Sequence, residues 1–373
     1  MLEQLADVST GNSFSPEAGF ANNIVAAIKI DGDFDTEALQ WGVDQIVARH
    51  SVLRTNFSVE QGEVVQIIHP HRHIPILLED YSQFGEIKAL ELAKAKLSAE
   101  SKHRYQLLSD SLLRINLVLL GNKSRVLIIN IHHIIADGWS FSIFIQELAE
   151  CYNAYKKGIQ PALPPLVIHY ADYCDWQQHT SNNLLERQRK YWLDKLQGEL
   201  SPLSLPSAVS LAIPLKETSV SELDGAVVKQ LLSVETSRQL TTFANPPPTS
   251  LFTVMLAVFK LFFSRLNNQE DIIIGTPVAG RNLSNTENLI GLFINTLALR
   301  TDFSGNPDFL QILARVREVT LSAFENQDFS FEKIVEQLNP PREKYRHPIF
   351  DIMFNFINTP DQHIQFPGSK VEP

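Results

Sequence analysis

Cysteine is nearly missing from this chain: Cys151 and Cys174 are the only two in 373 residues. Two cysteines cannot make a disulfide framework, and without a CxxC pair they offer no structural zinc site. Basic excess is missing too. Lys and Arg total 32 against 42 Asp and Glu, a formal net charge of −10. No basic patch is available to neutralise phosphates, which excludes nucleic acid as the expected partner. The opening Met1-Leu2-Glu3-Gln4-Leu5-Ala6-Asp7 lacks the basic start and apolar run of a signal peptide. The longest apolar stretch, around Leu251 to Leu266, is interrupted by Lys260, Ser264 and Arg265. It falls short of the roughly 20 residues that span a bilayer. No HExxH, GxSxG, P-loop or GxGxxG occurs, so zincin, α/β-hydrolase, nucleotide-phosphate and dinucleotide chemistries have no motif here. What is left is the expectation of a soluble, cytoplasmic protein. Its 44% apolar and 20% charged residues suit a sizeable core.

What is present is an alternation of strand-like and helix-like segments. Asn23 to Ile30 reads as a strand, and Gly32-Asp33-Phe34-Asp35 as a turn ending in a helix N-cap. Leu39, Val43, Ile46 and Val47 then share one helical face between Thr36 and Arg49. Arg54 to Ser58 and Val64 to Ile68 form a hairpin around Gln61-Gly62. A helical pattern runs from Glu86 to Leu97. Leu113 to Leu120 and Arg125 to Ile131 flank a second hairpin turn, and a helix follows from Ser140 to about Lys156. Gly158 to Pro165 is a connector, followed by a polar helix near Leu184 to Leu196 and a Ser/Pro-rich stretch, Ser201 to Pro214. The second half repeats the alternation. It has a strand at Val227 to Leu232, a Ser250-capped helix through Leu266, strands at Asp271 to Gly275 and Phe293 to Arg300, and a helix from Phe309 to Asn326. The pattern predicts an α+β protein of two similar lobes, with an N-terminal lobe over 1–165, a connector over 166–214 and a C-terminal lobe over 215–373.

The segment richest in chemistry is Ile131-His132-His133-Ile134-Ile135-Ala136-Asp137-Gly138-Trp139-Ser140. An apolar strand runs straight into two histidines, and a helix begins just beyond. A strand end holds a side chain rigidly yet leaves it open to a ligand, and histidine titrates near physiological pH. Alternation places His132 and His133 on opposite faces, so one packs inward against backbone groups. Asp137 can return across the turn to bond a ring nitrogen or to pair with an arginine. Gly138 would allow a backbone conformation that a side chain opposes. The same residues also fit two packed core histidines beside an ordinary turn. A second group, His69, His71 and His73, has alternate spacing, but Pro70 and Pro75 bracket an irregular segment and no acidic or thiol ligand adjoins. It reads as a solvated loop, and no metal site is expected.

With these residues in view, the chain resembles the condensation domains of non-ribosomal peptide synthetases. His132 to Gly138 matches the family's HHxxxDG. Arg49 to Phe57 is similar to RHxxLRTxF, Tyr170 to Trp176 to YxDYxxW, and Ile290 to Thr296 to IGxFxNT. Asn326 to Glu332 is similar to HQDxPFE, and Arg342 to Pro348 to RxxxRxP. Six motifs in family order cover most of the chain. The resemblance implies two chloramphenicol-acetyltransferase-like lobes in a V with a tunnel at their junction. It implies donor and acceptor peptidyl carrier proteins and a neighbouring adenylation domain as partners, with the chain a monomer or one segment of a multidomain protein. It also implies no cofactor on this chain, the 4'-phosphopantetheine arms being supplied by the carriers. The implied reaction joins a donor thioester to an acceptor amine. In it His133 accepts the amine proton or positions the amine, His132 completes the motif, Asp137 pairs with Arg54 or Arg281, and Gly138 keeps its N–H near the substrate. Asn295 and Trp139 would shape the tunnel, although core packing is the expectation for Trp139 and Phe293.

Some features depart from the family pattern. Its first N-terminal motif is missing, and the chain ends at Val371-Glu372-Pro373, before the family's closing strands and helix. Ser330 stands for a proline, Glu343 for an aspartate and Tyr105-Gln106-Leu107 for Phe-Asp-Leu. Trp139 preceding Ser140 is the reverse of the order expected for the related epimerisation domains, and it suits the subtype joining two L-residues. The residues also allow a free-standing acyltransferase of the superfamily, which shares only HxxxDG, and a non-catalytic domain that docks carrier proteins.

Overall fold

The computed structural model describes residues 22–179, 182–203, 227–244, 249–341, 347–357 and 366–372. Most of Ser201–Pro214 and of the Arg342–Pro348 motif therefore lies outside the described residues. The first part is built on a five-stranded sheet in the order β4-β5-β6-β1-β9. Its strands are β1 (Asn23–Gly32), β4 (Ile76–Asp80), β5 (Leu113–Gly121), β6 (Ser124–His132) and β9 (Ser369–Glu372). β4 runs parallel to β5, and the other neighbours are antiparallel.

Both faces of this sheet are covered, so β5 and β6 read as nearly continuous apolar runs. On one face Leu113, Ile115, Leu117, Leu127, Ile129 and Ile131 meet α1 (Thr36–Arg49) and α3 (Gly138–Lys157) in the main core. On the other, Val118, Leu120, Val126 and Ile128 meet Ala89 and Ala93 of α2 (Glu86–Ser101). The helix starts are coded locally. The Asp35 carboxylate accepts the amides of Glu37 and Ala38 at 3.0 and 3.1 Å and so caps α1, whose buried residues include Leu39, Val43, Ile46 and Val47. β2 (Thr55–Glu60) and β3 (Glu63–Ile68) form a separate two-stranded hairpin.

α4 (Tyr170–His179) and α5 (Asn182–Leu196) lead into the second core. That core gathers Trp192 and Leu196 of α5 with α7 (Leu251–Asn267), β7 (Asp271–Val278), β8 (Asn295–Asp302), α8 (Phe309–Glu325) and α9 (Phe331–Leu338); α6 (Val234–Ala244) precedes α7. β7 and β8 pair antiparallel, and Met353 makes a single parallel bridge to Gly275 through the amides of Gly275 and Phe354, at 2.9 and 2.8 Å. Ser330, which departs from the family proline, caps α9 through the Lys333 amide at 3.4 Å, so the substitution keeps the helix start.

One sequence expectation is corrected, and one strand is new. Val227 to Leu232 forms no strand, and Val228 and Leu231 are more than nine-tenths exposed; β propensity without a face to pack against does not make a strand. β9 was not anticipated. It pairs with β1 from Lys29↔Glu372 to Gly32↔Ser369, and Phe366 just before it packs on Phe34 and Tyr152. No helix among the described residues is long and apolar enough to cross a membrane.

Candidate active site

The HHxxxDG turn begins where β6 stops. His132 is 1% exposed, and its amide donates to the Leu112 carbonyl at 2.9 Å. Its Nδ1 accepts the Ile134 amide at 3.1 Å, and the ring stands edge-on to Tyr105. Burial, with His133 adjacent, pushes its pKa down to about 4. His132 is therefore neutral at pH 7 and committed to the backbone. His133 turns the other way. It is half-buried, its amide donates to Asn22 O at 2.7 Å, and its Nδ1 is enclosed without a hydrogen-bond partner among the described residues.

Asp137 fixes the turn to the other half of the molecule. Its Oδ1 caps α3 by accepting the Ser140 amide at 2.7 Å, and it also meets Arg281 Nη2 at 3.2 Å. Its Oδ2 accepts the Phe293 amide at 3.0 Å. The partner of Asp137 is thus Arg281 and not Arg54, whose Nη1 donates to the His69 carbonyl beside the β2–β3 hairpin. Arg281 and Asp137 side chains are 2% and 3% exposed. The guanidinium also donates to the Thr286 and Leu289 carbonyls at 2.5 and 2.8 Å and lies 4.0 Å above the Phe293 ring. Burial lowers the Arg281 pKa, and Asp137 opposes that shift.

Ser140 adds a second link, missed from sequence although it ends the motif segment. Its hydroxyl donates to Gly291 O at 2.7 Å and accepts from the Gly291 amide at 3.0 Å and from Arg281 Nη2 at 2.8 Å. One donor and two acceptor positions are all used. Trp139 corrects an expectation. It is 45% exposed, not core, and its Nε1 donates to the Glu287 carbonyl at 3.0 Å. Phe293 is buried as expected, between Arg281, Tyr170 and Tyr173. Gly138 corrects another: its φ is not left-handed, and an added Cβ would meet nothing within 4 Å. As the first residue of α3, its amide has no intrahelical acceptor.

Residues 287–293 thus cross from the second part onto the first, with Ile290 buried in the first core. Tyr170 OH donates to the Leu292 carbonyl at 2.9 Å, and a Cβ on Gly291 would strike the Tyr170 ring. Gly280, at φ +65°, lies so close that a Cβ would run into the Phe293 carbonyl oxygen. Gly280→Ala should therefore lower the free energy of unfolding by about 2 kcal/mol or more, combining left-handed strain with a backbone clash. Urea midpoints check this; a change below about 0.5 kcal/mol would show that the crossover yields freely. Asn295 acts one step further out. It donates to the Gln327 and Phe329 carbonyls at 2.7 and 3.0 Å and accepts the Phe331 amide, which fixes the turn into α9. In the other histidine group, His69 meets Asn56 and His73 meets Asp44; no metal-holding cluster exists among the described residues.

An HHxxxDG turn at a strand end, clamped by a buried aspartate–arginine pair between two α+β cores, defines the condensation class. The chain belongs to the condensation-domain family, whose model matches residues 16–372. It is 36% identical over 351 residues to bacitracin synthase 1 of Bacillus licheniformis, covering 94% of this chain and 6% of that protein. It is 36% identical over 359 residues to a dimodular nonribosomal peptide synthase of Bacillus subtilis (strain 168), covering 93% of this chain and 14% of that protein. The chain spans only a small share of these relatives. Among solved structures, the X-domain from teicoplanin biosynthesis superposes with a TM-score of 0.82 at 26% identity, over 94% of this chain and 77% of that one. The first condensation domain of the calcium-dependent antibiotic synthetase superposes with a TM-score of 0.74 at 18% identity, over 99% and 82%. The fold is accordingly the chloramphenicol-acetyltransferase-like α+β type.

Proposed function

We propose that this chain forms a peptide bond between a donor aminoacyl or peptidyl thioester and an acceptor aminoacyl amine. Both substrates ride on phosphopantetheine arms of carrier proteins within a non-ribosomal peptide synthetase. The acceptor nitrogen attacks the thioester carbonyl, the C–N bond forms, the C–S bond breaks and the thiol leaves with a proton. In this reading residues 1–165 and 215–373 are two lobes in a V, joined through 166–214, with 366–372 returning to the first sheet, and the substrates meet in a tunnel at the junction. A neighbouring adenylation domain supplies the activated residue.

The observation that carries the reading is the opposed setting of the two histidines. His132 is locked to the Ile134 amide, whereas His133 is half-buried on the other side with Nδ1 enclosed. That leaves Nε2 of His133 to meet a bound amine, either taking its proton or holding it against the carbonyl. Asp137 and Arg281 act on the turn and not on the substrate. Peptide formation from a thioester is downhill, so orientation by a rigid turn supplies much of the catalysis. Gly138, with open space beyond its Cα and a first-turn amide that no helix carbonyl engages, lets substrate come close to the backbone.

The test is mass-spectrometric detection of condensed product from the chain with loaded donor and acceptor carriers, beside His133→Ala. Product from wild type and at least about tenfold less from the variant, roughly 1.4 kcal/mol of transition-state stabilisation, is the expected result. A folded wild type that yields nothing across several donors would replace this reading with a domain that only docks carriers.

A further inference from the structure

We infer that His50 is a positioning residue that holds the 287–293 crossover, and through it the His133 turn, by keeping its Nδ1 a hydrogen-bond acceptor. This inference rests on the condensation reading for its effect on rate, but its geometry stands apart from that reading. His50 follows α1, is 2% exposed and is fixed at both backbone ends, its amide donating to Ile46 O and its carbonyl accepting from Leu53. Its Nε2 lies 2.8 Å from Glu147 Oε2, while Arg49 Nε occupies Oε1 of the same carboxylate at 3.0 Å. A carboxylate bonded to a guanidinium is an acceptor only, so the imidazole proton sits on Nε2. Nδ1 then carries a lone pair, and it receives the Ile290 amide at 3.4 Å from a residue 240 positions away. The next crossover amides, Gly291 and Phe293, are those that bind Ser140 and Asp137. Glu147 therefore selects the tautomer, and the tautomer holds the strap against the catalytic turn.

Protonating His50 would place two donors face to face and release Ile290. The charged groups around the ring are Glu147 on α3, Arg49 on α1 and His169 ahead of α4; burial lowers the His50 pKa and Glu147 opposes that shift. The neutral, acceptor form therefore persists through the ordinary histidine range and is lost only on acidification below it.

The deciding comparison is His50→Asn against His50→Gln in the full chain. The Asn side-chain oxygen takes the place of Nδ1 and keeps the acceptor; Gln extends to the Nε2 position and does not. Condensation assays should give kcat within about threefold of wild type for His50→Asn and at least tenfold lower for His50→Gln, with KM little changed in both. Hydrogen-exchange protection of 287–293 should follow the same order. In wild type, nitrogen NMR should show an unprotonated Nδ1 at pH 7.5, and protection of the Ile290 amide should drop at acid pH. Equal behaviour of the two variants, or a proton on Nδ1 at pH 7.5, overturns the proposal. If the wild type makes no condensed product, the condensation reading fails, while exchange and NMR still decide the role of His50.

Discussion

Arg281→Met is expected to lower the free energy of unfolding by about 3–5 kcal/mol, the usual cost of removing one partner from a buried ion pair. The guanidinium is 2% exposed and serves four acceptors: Asp137 Oδ1, Ser140 Oγ, Thr286 O and Leu289 O. Methionine fills the volume over Phe293 but supplies no donor. Two backbone carbonyls lose a partner, and Asp137 keeps only the Ser140 and Phe293 amides. A carboxylate in low dielectric with its counter-charge removed is the costliest of these losses. Asp137→Asn made in the same background should cost less than in wild type, because the charge it removes no longer has a partner. The coupling energy should therefore be about 1–3 kcal/mol. Urea unfolding of wild type, both single variants and the double variant measures it. A loss under about 0.5 kcal/mol for Arg281→Met would mean that the junction opens to water and that the pair is not what clamps the turn. On the proposed reading, condensation should fall along with stability, because these contacts hold the turn that carries His133.

Lys260→Met should stabilise the chain at pH 7, and the gain should shrink by roughly 3 kcal/mol at pH 9.5. Lys260 is fully buried in the second core, where Nζ donates to the Leu299 carbonyl and Thr301 Oγ1 at 2.6 Å each. Asp271, the acidic group that raises its pKa, is engaged by Arg300 at 2.7 Å. Burial pushes the Lys260 pKa down to about 7 from an ordinary value of 10.5. Above pH 10.5 neither the folded nor the unfolded chain carries this proton. As pH falls from 10.5 to 7 the unfolded chain takes it up and the folded chain does not, so stability declines by about 1.4 kcal/mol per unit. Below pH 7 both forms are charged and the penalty levels off. Methionine removes the titration, at the cost of a Thr301 hydroxyl that must find another partner. The check is urea unfolding of both proteins at pH 7 and 9.5, because every other titrating group cancels in the difference. A variant whose stability relative to wild type is independent of pH would show that Lys260 is solvated in the folded state.

Much of the secondary structure was legible because its signals are local. Asp35 and Ser250 cap helices where the sequence placed them, and the 3.6-residue apolar spacing of α1 matches its buried face. The β2–β3 hairpin closes at Gln61-Gly62, both at positive φ, as the turn chemistry required. Alternation separated His132 from His133. Trp139 was misjudged because a large aromatic residue at a helix start carries no mark of which side will be covered. Gly138 was misjudged because a glycine can be present for the space beyond its Cα as well as for its φ.

By itself, the sequence determined the alternating α+β elements, the turn that presents His133 and the ordered motifs that mark the condensation family. These depend on periodicity, caps and spacing within some ten residues. Tertiary structure alone decided which arginine meets Asp137, since Arg54 and Arg281 are chemically equal and only the crossover brings a residue 144 positions away into contact. It decided that 369–372 close the first sheet beside β1. It also decided that Lys260, which in sequence only interrupts an apolar run, is a buried amine facing β8. Each of these is a pairing between distant segments, fixed by which surfaces the packed cores bring together and not by any pattern along the chain.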